Sequence, residues 1–308
     1  MTPEYTYIDT PAALATFTQA KPTVFGFDTE FTHVRTFNPI PELLQIGTEQ
    51  AVGIIDLRAN LPMDALGDWF QDPAITRIAY SVFNDVNVLS EVFRSSIGRI
   101  EDIQLALKFL SSAPSVGYDK IIAQYFGEEI DKSMQRSEWD KRPLAPEQLD
   151  YAALDVVHLR ELWEIVRMDL EAMGRFDWYS EECGTRTNQP HADDPTAVLG
   201  KSIHILELDE RGFHMLQLLE DWRTQQARQS GIPKNWILET KTVAKLAGYK
   251  RLSDKKLMRL LSPKQVRRYR WPLMDLQRRA RHAAQDSNAI APNKLVDFVR
   301  ALRQASLK

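Results

Sequence analysis

Up to about residue 80, apolar positions fall in short runs or alternate with polar ones, whereas later segments repeat at helical spacing. Tyr5–Ile8 reads as a short strand, and residues 23–31, 41–48, 51–57 and 75–80 read as further strands. A tight turn at Glu49-Gln50 joins the third to the fourth. Asp9 or Thr10 is placed to cap a helix beginning at Pro11, because proline is tolerated in a first turn. A short helix is expected over 62–70, and others over 85–93, 103–110, 116–126 and 146–173. Strands first, then strands mixed with helices, predict an α/β domain: a mixed sheet with helices packed on it.

The pattern changes after residue 183. Gly184–Pro195 brings Thr, Asn, Pro, His and Asp close together and reads as a linker. Beyond it, Leu216, Leu219, Trp222, Arg223 and Ala227 repeat at helical spacing, so the second domain is expected to be all-α. The predicted division is 1–183, a linker over 184–204, and a helical domain over 205–308 ending in a helix at 292–307. No internal repeat is visible.

Composition narrows the class. A chain of 308 residues with 44% hydrophobic and 26% charged residues suits two globular domains. No apolar run approaches the ~20 residues that span a bilayer. Met1-Thr2-Pro3-Glu4-Tyr5 lacks the basic and apolar stretches of a secretory signal. The single cysteine, Cys183, excludes an internal disulfide and multi-cysteine zinc sites. These features lead us to expect a cytoplasmic protein, and nothing calls for an obligate protein partner. Net charge hides an asymmetry. Residues 200–308 carry 23 Lys+Arg against 10 Asp+Glu, about +13, which leaves about −16 for residues 1–199. A basic half suits phosphate contacts, or docking on the acidic half.

Four acidic residues carry the candidate chemistry. Asp28 and Glu30 lie in an apolar run, Asp85 follows Ile78-Ala79-Tyr80, and Asp155 lies one helical turn after Tyr151. Alternate strand residues share a face, as do residues four apart on a helix. Asp28 with Glu30, and Tyr151 with Asp155, are therefore expected to project as pairs. An ionised carboxylate beside a core needs a cation to offset its burial. Four converging carboxylates point to a hard divalent ion, magnesium or manganese, because all the donors are oxygens. A lone Asp-x-Glu is most often a turn, and a lone Tyr-x-x-x-Asp most often helix surface. Their order, spacing and contexts together carry the signal.

In that order the segments resemble the three motifs of the DEDDy 3′–5′ exonucleases, and among them the ribonuclease D family. Asp28-Thr29-Glu30-Phe31 is similar to the first motif, Asn84-Asp85-Val86 to the second, and Tyr151 with Asp155 to the third in its tyrosine form. The likeness continues through Asp131-Lys132-Ser133, Arg136-Ser137-Glu138-Trp139, Arg142-Pro143-Leu144 and Gln148, and covers about residues 5–180. Two departures stand out: Tyr80 where a histidine is usual, and Gly117-Tyr118 where Gly-Leu is usual. Neither touches the carboxylates. Leu206–Tyr269 resembles the helicase-and-ribonuclease-D C-terminal (HRDC) module, through Leu219-Glu220-Asp221-Trp222-Arg223, Ile232–Leu238 and Val243–Ala247.

The resemblance implies a ribonuclease H-like domain followed by an HRDC-like one. It implies a 3′–5′ exoribonuclease that trims structured RNA such as tRNA precursors and releases nucleoside 5′-monophosphates. Asp28, Glu30, Asp85 and Asp155 would hold two Mg2+ or Mn2+ ions, one activating water and the other stabilising the leaving 3′ oxygen. Tyr151 would orient the water, since a phenol with an ordinary pKa near 10 is a poor base at neutral pH. Phe31 suits stacking on a terminal base or a place in the core. Arg35, Lys132 and Arg136 suit phosphate contacts or pairing with nearby acids. Asp102 reads as a helix N-cap rather than a ligand. His158 reads as helix surface, or as the edge of the site. Two other readings keep the fold: the same chemistry on DNA, or a nucleic-acid-binding protein without activity.

Overall fold

The computed structural model describes residues 3–32, 36–82, 85–95, 97–111, 116–188 and 208–285. They divide into two compact units, the first reaching residue 188, the second holding residues 208–285 with Thr36 and Phe37.

The first unit is built on a six-stranded sheet. Its strands are β1 (Thr6–Ile8), β2 (Val24–Thr32), β3 (Ile40–Gly47), β4 (Val52–Asp56), β5 (Thr76–Ala79) and β6 (Ile100–Asp102), in the order β1-β4-β3-β2-β5-β6. β2–β3 and β3–β4 pair antiparallel, and the other pairs are parallel. The helices are α1 (Pro11–Thr18), α2 (Asp64–Gln71), α3 (Asp85–Phe93), α4 (Ile103–Leu110), α5 (Tyr118–Phe126), α6 (Pro146–Val157), α7 (Leu159–Ala172) and α8 (Phe176–Asn188). Alternation along β3 sorts its side chains between two cores. Leu43 packs with residues of α4, α6 and α7, while Leu44 and Ile46 pack with Leu14, Leu66, Phe70 and Leu89. The sheet is therefore covered by apolar clusters on both faces, the mixed sheet with flanking helices expected for this half.

Two differences from the sequence reading have local causes. The helix expected over 146–173 is two, meeting at His158 (φ −97°, ψ −6°). Apolar spacing runs through that junction without a break, from Ala153 and Val156 to Leu159 and Leu162, so periodicity alone does not reveal it. Gly26 and Gly47 explain how the junction seats. A Cβ at Gly26 would lie 2.7 Å from Leu159 Cβ, and one at Gly47 would lie 2.8 Å from the Val156 carbonyl oxygen. The second difference is α8, which occupies 184–188, where a linker is expected. Tyr179 and Cys183, one turn apart, anchor it: Tyr179 Oη donates to Glu101 (2.8 Å) and Cys183 Sγ to the Ile100 carbonyl (3.0 Å). The rest of the expected linker and the terminal helix lie outside the described residues.

The second unit is all-α: α9 (Glu210–Ser230), α10 (Lys234–Ile237), α11 (Thr240–Gly248), α12 (Asp254–Leu260) and α13 (Pro263–Gln285). Asp209 caps α9 by accepting from Gly212 N (2.8 Å), and Gly231, at φ 64°, closes it. Leu216, Leu219 and Ala227 face a core shared with Leu238, Val243, Leu246 and Leu273. Arg223 is buried there, paired with Glu220 (2.6 Å) and donating to the Leu238 carbonyl (2.9 Å). No helix among the described residues is long and apolar enough to cross a membrane.

Candidate active site

The first motif is positioned by the pairing of β2. Asp28 and Glu30 project from one face, opposite Gln45 and Leu43 of β3, and the register shifts between Glu30 and Phe31. Thr29 points to the other face, is buried, and donates its hydroxyl to Asp85 Oδ1 at 2.5 Å. α6 supplies Tyr151 and Asp155. Its N-terminal end is tied down by Gln148, whose Oε1 accepts from Ala145 N (3.0 Å) and whose Nε2 donates to Ser137 Oγ (2.9 Å). Arg142 fixes the chain just before α6 through Nε and Nη2, which reach both oxygens of Asp56 at 2.6 and 2.7 Å. Trp139 packs against the Tyr151 ring at 6.2 Å between centroids.

Three of the four predicted carboxylates come together. Asp28, Glu30 and Asp155 each offer an oxygen within 4.8 Å of the others. Asp85 stands outside that group, only 6% exposed at the start of α3 and held by Thr29. Its charge nonetheless acts on the others. Burial, then the charges of Asp85, Asp155 and Glu30, hold the Asp28 carboxyl well above the usual range. Burial and the charges of Asp155 and Asp85 push Glu30 up to about 9. Burial lifts Asp155 to about 8 and Asp85 to about 6, each against a hydrogen bond that lowers it, from Tyr151 and from Thr29 respectively. The Tyr151 phenol is raised by burial and by the same carboxylates, so it keeps its proton at neutral pH and can donate but not act as a base.

Among the described residues, none of the four carboxylates is in an ion pair with a Lys, Arg or His side chain. Asp155 Oδ2 is buried and accepts no hydrogen bond. An all-oxygen set with an unpartnered acceptor fits a hard divalent cation. Bound there, the ion would supply the positive charge that the cluster lacks.

A cleft of about 270 Å3 opens onto the cluster, with Asp28, Tyr151 and Asp155 on its wall. Tyr80 and Tyr118, the two departures from the family pattern, line it too and pack on each other at 5.2 Å. Sequence reasoning set them apart from the carboxylates. In the fold, Tyr118 Oη donates to the carbonyl of Leu154, the residue before Asp155, at 3.2 Å. Lys132 also lines the cleft, ion-paired with Asp119 at 2.5 Å. Arg136 is exposed on a 3-10 turn over Lys132–Arg136. Phe31 is half-buried and joins none of the apolar clusters among the described residues. Arg35 and Asn84 lie outside the described residues. Asp102 is the N-cap of α4, accepting from Leu105 N at 3.1 Å. His158 sits at the α6–α7 junction, against Glu128 (3.2 Å) and stacked on Phe126 (4.6 Å). Thr29 was missed as a contributor; its signal is its place between the two motif carboxylates.

In the helical unit, Tyr249, Tyr269 and Trp271 stand in the sequence beside the basic clusters Lys250-Arg251, Lys255-Lys256 and Arg267-Arg268 with Arg270. Tyr269 belongs to the core, whereas Trp271 is 69% exposed with the Arg270 guanidinium 4.6 Å from its ring centre. Lys256 lies over Tyr249 at 4.7 Å.

Comparison with known proteins agrees with this architecture. The 3′–5′ exonuclease family profile matches residues 5–171, and the HRDC domain profile matches residues 213–276. Ribonuclease D of Granulibacter bethesdensis is 31% identical over 239 residues, 77% of this chain and 60% of that protein. Ribonuclease D of Escherichia coli is 28% identical over 248 residues, 80% of this chain and 66% of that protein. The chain thus spans about three fifths of the length of the curated relatives it matches. The crystal structure of E. coli RNase D, an exoribonuclease involved in structured RNA processing, superposes with a TM-score of 0.71 at 28% identity, covering 91% of this chain and 76% of that one. With Asp28 and Asp155 on one cleft of a mixed α/β unit and an HRDC match in the helical unit that follows, the chain belongs to the 3′–5′ exonuclease family and resembles ribonuclease D in both units.

Proposed function

We propose that this protein is a metal-dependent 3′–5′ exoribonuclease that trims the 3′ ends of structured RNA, with tRNA precursors the leading class, and releases nucleoside 5′-monophosphates. The observation that carries the reading is the approach of Asp28, Glu30 and Asp155 within 4.8 Å, without a cationic partner among the described residues, beside the Tyr151 hydroxyl. Asp28, Glu30, Asp85 and Asp155 would hold two Mg2+ or Mn2+ ions. Metal at such a site neutralises phosphate charge and makes water a competent nucleophile near neutral pH. The Tyr151 phenol, protonated and facing Asp155, orients that water by hydrogen bonding. Phe31 offers a stacking face for the terminal base. Lys132 would exchange Asp119 for a substrate phosphate, with exposed Arg136 beside it on the same turn. The exposed Trp271–Arg270 pair and the basic clusters of the helical unit suit the single-stranded or backbone contacts of an RNA platform.

The test compares a 3′-tailed tRNA, a single-stranded DNA and a 3′-blocked RNA, each with magnesium and with chelator. Metal-dependent shortening of the tRNA tail, with release of 5′-monophosphates and no cutting of the blocked RNA, is expected. Preference for DNA would move the substrate assignment. Binding to all three without hydrolysis would identify an inactive nucleic-acid-binding protein.

A further inference from the structure

Gln45 is an anomaly beside Asp28 in the sheet. It sits in β3 among Leu43, Leu44 and Ile46, and it is 0% exposed. Neither its Oε1 nor its Nε2 has a hydrogen-bond partner. Buried amides are almost always satisfied, and leaving one unpaired costs stability that an apolar residue of similar shape would not. Such a group calls for an explanation, and its neighbours supply one.

Gln45 is the direct cross-strand partner of Asp28. Side chains of opposed residues in an antiparallel pair stand side by side on one face, with Cβ atoms about 4.5–5.5 Å apart. The face is the one α6 covers, because Gly47, two residues on, meets the Val156 carbonyl. Asp155 precedes Val156, and its Oδ2 is also buried and unpartnered. An unsatisfied donor and an unsatisfied acceptor therefore lie on the two elements that enclose the carboxylates. A primary amide has two N–H donors, enough to serve one oxygen of each of two carboxylates.

We propose that Gln45 is a positioning residue for the metal-holding carboxylates: its amide donates to Asp28 and Asp155 when a divalent cation draws them together, fixing the oxygens that face the ion. The inference rests on the metal-dependent nuclease reading of this cleft. Gln45 touches neither substrate nor ion. It acts through the two carboxylates, and the stability that an unpaired buried amide costs is given up for that role.

The test uses the full chain and the Gln45→Met variant, which keeps the length of the side chain and removes its polarity. Three quantities are read: thermal unfolding with chelator, Mn2+ affinity by calorimetry, and the Mn2+ concentration giving half-maximal hydrolysis. We expect the metal-free variant to melt at or above the wild-type temperature. We expect its Mn2+ affinity to fall about 10-fold or more, in the range seen when groups supporting metal ligands are removed. Turnover should recover as Mn2+ is raised. Unchanged Mn2+ affinity in a folded variant would overturn the proposal. Should Gln45→Met not fold, the wild-type protein labelled with 15N-glutamine answers the same question. Mg2+ should shift the Gln45 side-chain amide resonances and slow their exchange with solvent, and unmoved resonances would overturn the proposal. Failure of the wild type to bind Mn2+ at all would instead sink the nuclease reading on which it rests.

Discussion

Buried carboxylates in two places of the first unit meet opposite fates. At the end of β4, Asp56 receives a two-pronged hydrogen bond from Arg142 and a third from Tyr7 Oη (2.6 Å). Burial would raise its pKa, but those donors win and hold the carboxyl below the usual range. Asp28, Glu30 and Asp155 crowd together with no cationic side chain paired to them among the described residues, and burial with repulsion from neighbouring carboxylates, Asp85 included, drives all three upward. The chain is able to deliver a guanidinium to a buried acid, and does so where the acid serves structure. Where the acids line the candidate site, no Lys, Arg or His among the described residues pairs with them, and under the proposed function a bound divalent cation would supply that charge.

The harshest way to break that contrast is to delete a carboxylate. Asp28→Ala or Asp155→Ala should abolish hydrolysis, because phosphoryl transfer at such a site needs its metal, while RNA binding through the basic unit stays largely intact. Full nuclease activity in either variant, in a gel assay of tail shortening, would remove the basis of the assignment. A milder change keeps every ligand. Tyr151→Phe should lower turnover on the order of 10²-fold by releasing the water, and should barely alter metal affinity. Turnover equal to wild type would make Tyr151 structural.

The compensated region should respond in the opposite sense. Arg142→Met strands Asp56 and should destabilise the folded state by about 2–4 kcal/mol in urea unfolding, since removing one partner of a buried pair leaves a charge without compensation. Removing an acid from the cluster by Asp155→Asn should cause no such loss in chelator, because among the described residues no cationic side chain is paired with Asp155 to be stranded and its carboxyl is already raised towards the neutral form. Equal losses in both variants would erase the distinction.

The smallest effect is a pair of opposed pH dependences in chelated protein. The folded pKa of Asp56 is depressed, so its contribution is present above about pH 4 and fades as pH falls through the lower folded value. For Glu30 and Asp155 the sign reverses. The folded protein binds more protons than the unfolded chain, so stability declines as pH rises from the ordinary carboxylate range towards about 9, and added Mg2+ should flatten that decline. Denaturation midpoints from pH 3 to 9, with and without Mg2+, measure both arms.

How much of this the sequence revealed depended on whether the signal was local. The strand carrying Asp28 and Glu30 was legible because Phe25 and Phe27 alternate with positions of the other face. α3 and α4 were legible from apolar spacing, and the Asp102 cap from its place before such a run. The break at His158 was not, since spacing continues through it, and β6 is only three residues long. α8 escaped because its polar stretch resembles a loop, while its anchors, Tyr179 and Cys183, act through partners about 80 residues away. In the site, residue identity announced the carboxylates and Tyr151. The hold of Thr29 on Asp85, the meeting of Tyr80 with Tyr118, and the unsatisfied amide of Gln45 arise only when distant strands and helices are brought together.

Calorimetric titration of the chelator-stripped protein with Mn2+ at pH 7, repeated in two buffers of different ionisation enthalpy, addresses the central claim most directly. Burial and neighbouring carboxylates raise Glu30 and Asp155 well above the usual range, so an incoming cation is expected to displace protons. The predicted result is saturable binding with release of about one proton or more per protein, lost in Asp28→Ala. Binding without proton release, or binding that Asp28→Ala leaves intact, would contradict the account.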